Sequence, residues 1–175
     1  MGNSWRSLRV LLLALVLGVL LMLVMASPAI ASLHTYHEQL GQTTFRSRQT
    51  VRDRHNIAWQ VTVFKRYEQD TLQGLYLRLV GFPGQGVVDR QADLQVQTGT
   101  VAQWVAPHSV DLLTKSLPEN VAQYDFKEVL AQLQRPIPLT LVVPLVNAAP
   151  AQLVVAPYVV DEWLQLYRLQ EEPHK

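Results

Sequence analysis

Between residues 44 and 80 apolar and polar side chains alternate, and a period of two is the mark of a half-buried β-strand. Phe45, Ser47, Gln49 and Val51 fall on one face of residues 44–52, and Arg46, Arg48, Thr50 and Arg52 on the other. Asp53-Arg54-His55-Asn56 carries turn chemistry, because Asp and Asn side chains bond their own backbone. In residues 57–68, Ile57, Trp59, Val61, Val63 and Tyr67 face away from Gln60, Thr62, Phe64 and Arg66. A polar loop is expected over residues 68–74. Leu75, Leu77 and Leu79 then alternate with Tyr76, Arg78 and Val80. Three such strands joined by short connections specify an antiparallel meander.

The rest of the chain changes period. Phe82-Pro83-Gly84-Gln85-Gly86 ends the meander, Leu94, Val96 and Thr98 mark another strand, and Gly99 turns the chain into residues 101–105. Asp125-Phe126-Lys127-Glu128 reads as a capping box, followed by Val129, Leu130 and Leu133 at helical spacing. A short helix is expected near residues 125–134, stopped by Pro136 and Pro138. Leu139, Leu141 and Val143 form a strand, and residues 153–155 another. Pro157 suits a first helical turn, with Val160, Trp163, Leu164 and Tyr167 lining one face of a C-terminal helix near residues 158–169. Strands and helices do not alternate regularly, so the class is α+β on a mainly antiparallel sheet.

The first 31 residues have a different character. Arg6 and Arg9 precede a 17-residue apolar run, Val10 to Ala26, followed by Ser27-Pro28 and Ala29-Ile30-Ala31. A positive start, an apolar middle and small residues before the cut make a secretory signal peptide. Cleavage after Ala31 leaves a single exported domain, residues 32–175. The alternative is an uncleaved anchor over residues 10–26. Both put residues 32–175 outside the cytoplasm, since the arginines stay inside. The chain has no cysteine, which excludes disulfides and cysteine-based zinc sites. Without Arg6 and Arg9, 13 basic residues face 14 acidic ones, so bulk charge gives no reason to expect nucleic acid as a partner.

A chain starting Ser32-Leu33-His34 could wrap Cu(II) or Ni(II) in the amine, two amides and the imidazole, with His37 near enough for an axial contact. Zinc on His34, His37 and Glu38 is disfavoured: a strand would point the histidines to opposite faces, and no spacing supplies a further ligand. A hydrolase would need His55 or His108 with a nearby acid. Asp53 stands beside the first, Ser109 and Asp111 beside the second, yet triads assemble from distant segments and no G-x-S-x-G elbow exists. No catalytic residue and no cofactor is therefore assigned. The strand pattern gives more. Residues 46–78 hold seven basic and three acidic residues, whereas residues 89–175 hold six and ten. In the meander's register Arg46, Arg48, Arg52, Arg66 and Arg78 share a face with Phe64 and Tyr76. Such a face suits an anionic membrane surface or an acidic protein partner. It is equally what the wet side of an antiparallel sheet looks like, or Phe64, Tyr76 and Val80 could lie under the C-terminal helix.

Residues 31–36 (ASLHTY), 46–54 (RSRQTVRDR), 59–66 (WQVTVFKR), 77–84 (LRLVGFPG), Tyr124-Asp125 and 157–163 (PYVVDEW) resemble, in that order, a cyanobacterial family of small exported proteins with a domain of unknown function. The resemblance implies a periplasm or thylakoid lumen and supplies no catalytic residue. The first expectation is a non-enzymatic binding or assembly accessory. The alternatives are an exported hydrolase without a recognisable motif, or Cu(II)/Ni(II) handling at the processed N-terminus.

Overall fold

In the computed structural model the alternating segments become strands. The structure describes residues 34–39, 42–69, 71–110 and 117–169. Strands β1 (His34–Gln39), β2 (Gln42–Arg52), β3 (Ala58–Glu68), β4 (Thr71–Val80) and β7 (Val121–Asp125) make one sheet in that order. The second sheet runs β6 (Gln103–Ala106), β5 (Leu94–Thr98), β8 (Leu139–Val143) and β9 (Ala151–Val155). Every pairing is antiparallel. Helix α1 (Lys127–Gln132) and helix α2 (Pro157–Arg168) complete the α+β fold. Among the described residues no helix is long and apolar enough to cross a membrane.

The odd-numbered face of β2–β4 turns inward. Trp59 is 4% exposed, and Val61, Leu77 and Leu79 are fully buried. They join Leu94, Val96, Leu139, Leu141 and Leu153 of the second sheet in one core. The sheets are stitched along both flanks. β1 pairs with β2 only as far as Arg46, so the far end of β2 is itself an edge, and just past it Asp53 bridges Leu153 of β9. On the other flank His108, beyond β6, bridges Tyr124 of β7. Joining edges in this way removes unpaired backbone that would otherwise recruit other strands.

Helix α2 begins at Pro157, whose fixed φ and missing N–H suit that position. Val159, Val160, Trp163, Leu164 and Leu166 are buried, with the Trp163 ring edge-on to Phe126 at 5.7 Å. The helix lies on the inward face of β2 and β3. Ser47 Oγ donates to the buried Glu162 carboxylate at 2.7 Å, and Gln49 Nε2 donates at 3.3 Å. Lys65 Nζ donates to the carbonyl oxygens of Tyr167 and Leu169. An ammonium there satisfies end-of-helix carbonyls and opposes the negative end of the helix dipole.

Several local expectations need correction. The loop expected over residues 68–74 is absent: Glu68 pairs with Thr71, so a two-residue turn containing Gln69 at φ +47° closes the hairpin. The extra residue, Gln73, is absorbed as a bulge, since Arg66 pairs with Gly74 and Tyr67 with Leu72. The capping box does not form. Asp125 ends β7 and accepts from the Lys127 amide at 3.0 Å, while the helix cap is Phe126, with no side-chain cap bond. Lys65, counted above with the basic segment, faces inward and holds helix α2. The helix therefore lies opposite Phe64, Tyr76 and Val80, not over them.

Candidate functional site

Register places the arginines before any side-chain contact does. Arg46, Phe64, Tyr76 and Asp125 form one row across β2, β3, β4 and β7. Arg48, Thr62, Arg78 and Gln123 form the next, and Thr44, Arg66 and Gly74 a third. Arg52 is further along β2 in the same phase, opposite Ala58. All seven residues of the expected basic and aromatic face thus lie on the outward side of the first sheet.

Phe64 is the hub of that face. It is only 5% exposed, although it points away from the core. The Arg66 guanidinium carbon is 5.5 Å from the ring centroid and that of Arg78 5.2 Å, both within cation–π range. The Tyr76 ring is tilted against Phe64 at 5.5 Å, and its hydroxyl donates to the Gln73 carbonyl at 3.2 Å. Gly74 makes room for that ring, because a Cβ there would collide with the Tyr76 side chain. Arg78 Nη2 donates to Gln123 Oε1 at 2.7 Å, and Arg52 Nη1 to the Asn56 carbonyl at 2.7 Å. Arg46 and Arg78 make further contacts within the chain. Arg48 is exposed, while Arg66 keeps a buried Nε with no hydrogen-bond partner among the described residues. A guanidinium stacked on a ring is already ordered, so it loses less entropy on meeting a carboxylate or phosphate.

The residues weighed for hydrolysis have structural work nearby. Asp53 Oδ1 accepts from the amides of His55 and Ile57 at 2.8 and 2.9 Å, and Oδ2 from Trp59 Nε1 at 3.2 Å. That carboxylate builds the β2–β3 turn. His55 is exposed on the same turn. The His108 amide donates to Asp93 Oδ1 at 3.0 Å, and its ring is edge-on to Tyr124 at 5.9 Å. His108 Nε2 and the Tyr124 hydroxyl are both buried and have no hydrogen-bond partner among the described residues. Burial, reinforced by Arg90 and opposed by Asp93, holds the imidazole below its ordinary pKa. Burial, with Asp89 and Asp93 adding to it, pushes the Tyr124 phenol well above the usual tyrosine range. Asp111, the acid considered beside His108, lies outside the described residues.

Of the metal candidates, Ser32 lies outside the described residues. His34 and His37 belong to β1, in register with Arg46 and Thr43. Among the described residues no three His, Cys, Asp or Glu side chains gather as a metal site.

A second feature, separate from the arginine face, was not expected from sequence. A pocket of about 200 Å³ opens where the β2–β3 turn, the segment after β4 and the β8–β9 connection converge. Trp59 forms part of its wall, packed so closely on Gly81 that a Cβ there would meet the ring at 3.0 Å. Phe82, 57% exposed, stands on its lining. Its parts are far apart in the chain, and only the run of small residues at 148–151 hints at open space.

The chain belongs to the family described as protein of unknown function (DUF3122), which it matches over residues 31–166. No curated protein and no solved structure matches it.

Proposed function

We propose that this protein is an exported, non-enzymatic binding or assembly accessory whose outward sheet face engages an acidic protein surface. The observation that supports this reading is the shared register of Arg46, Arg48, Arg52, Arg66 and Arg78 around Phe64 and Tyr76. Phe64 lies beneath guanidinium groups, so the face offers charge and planar donors rather than an apolar residue for a bilayer to take up. Carboxylates on a partner protein suit that chemistry. Export, and a home in a cyanobacterial periplasm or thylakoid lumen, follow from the N-terminal pattern and the family resemblance and belong to the same proposal.

The test compares wild type with Arg48→Glu/Arg66→Glu, in pull-down from native membranes and in sedimentation with phosphatidylglycerol vesicles. Wild type should recover a partner protein that the variant loses, and recovery should fall as salt approaches physiological strength, where the screening length is about 8 Å. Vesicle binding by wild type alone would redirect the proposal to an anionic membrane. Equal recovery by both proteins would end it.

A further inference from the structure

The pocket beside Trp59 is independent of the arginine face and has its own chemistry. Its lining is mainly apolar, with Ile57, Trp59, Phe82, Leu145 and the alanines at 148, 149 and 151, and its polar side chains are Asp53, His55 and Gln85. About 200 Å³ is somewhat more than the roughly 150 Å³ cavity that accepts benzene, so it admits a single ring system. Asp53 is the one acidic residue of the lining. Its Oδ1 is occupied by two backbone amides, but among the described residues Oδ2 accepts only the Trp59 indole N–H. A carboxylate oxygen has about two lone-pair sites, so Oδ2 can take a second donor. Two aromatic residues and a carboxylate around a ring-sized space recognise an apolar body bearing a positive charge.

We propose that this pocket binds a small aromatic ammonium compound, its ring against Trp59 and Phe82 and its ammonium on Asp53 Oδ2. The turn that presents Asp53 is fixed by the amide bonds to Oδ1 and by Asn56 at φ +63°, so the acceptor is in place before a ligand arrives. Such preorganisation lowers the ordering cost of binding. The small side chains of Ala148, Ala149 and Ala151 keep the third wall open.

Three indoles of nearly one shape separate charge from fit: tryptamine, neutral indole and indole-3-acetate. Each is titrated into the full-length protein while the amide resonance of Gly81 and the indole N–H of Trp59 are followed by NMR. Tryptamine should bind about five- to tenfold tighter than indole, the range that a partly desolvated cation contact supports, and indole-3-acetate should bind weakest. Asp53→Asn, whose amide oxygen can still accept the His55 and Ile57 amides while its NH2 replaces the oxygen that accepts the Trp59 N–H, should bring tryptamine down to the affinity of indole. Ala149→Trp, at an exposed loop position, should weaken every probe at least tenfold by filling the space. Ala149→Trp should melt near wild type, whereas Asp53→Asn, which leaves the Trp59 N–H without its acceptor, should melt somewhat lower and still bind neutral indole as wild type does, so that the pocket is shown intact and only the charge preference is lost. The proposal is overturned if indole-3-acetate matches tryptamine, if Asp53→Asn retains the preference, if Ala149→Trp binds like wild type, or if no probe shifts Gly81 and Trp59 at millimolar concentration.

Discussion

His108 and Tyr124 show what burial does to two ordinary side chains. They close one flank of the sheets by a backbone bridge, and each has a buried polar atom without a hydrogen-bond partner among the described residues. An unpaired buried donor or acceptor costs about 1–3 kcal/mol, so the pair holds the seam at a local cost. The imidazole has a definite pH consequence. Its folded pKa is below the ordinary 6.5, so the unfolded chain binds the proton more readily than the folded one. Stability therefore rises with pH through the interval between the folded value and 6.5, and falls as acid passes down through it. Urea midpoints at pH 7.5 and pH 5 should show the protein weaker in acid, and His108→Gln should reduce that difference. A variant with the wild-type pH slope would show that His108 carries none of it.

At the scale of elements, helix α2 is held at several points. Trp163 is fully buried, Glu162 accepts from Ser47 and Gln49, and Lys65 donates to the C-terminal carbonyls. Trp163→Ala removes the largest buried side chain of the helix, and truncating a buried tryptophan costs about 3–5 kcal/mol. A domain has about 5–15 kcal/mol in all, so the melting temperature should fall by many degrees. An unchanged melting curve would mean that the helix does not hold the fold together. Helix α2 was legible from its Pro157 start and its apolar stripe, as were β2, β3 and β4 from their half-buried alternation. β7 was not. Val121, Ala122, Gln123 and Tyr124 are all buried, because Gln123 is covered on the outer face, where it accepts from Arg78; burial on both faces erases the period of two. β1 was missed because its sequence, HTYHEQ, has no apolar face to read. The bulge that shortened the β3–β4 turn leaves no mark in composition.

For the whole molecule, two sheets joined at both flanks enclose the apolar residues, and the arginine face is left on the outside of the first sheet. That face could be read in advance, since register carries a period of two from one strand to the next. The pocket beside Trp59 could not, because three segments meet there only once both sheets have formed. The central claim is that the arginine–aromatic face is where a partner binds. Its most direct test installs a photo-crosslinking side chain at one of two exposed strand positions. Thr50 is in phase with Arg48 and Arg52 on that face, and Val154, 59% exposed, is on β9 of the second sheet. Irradiation of native membranes should give a discrete crosslinked protein from position 50 that disappears when Arg48→Glu is added, and none from position 154. Crosslinks from position 154 alone, or a product at position 50 indifferent to Arg48→Glu, would contradict the account.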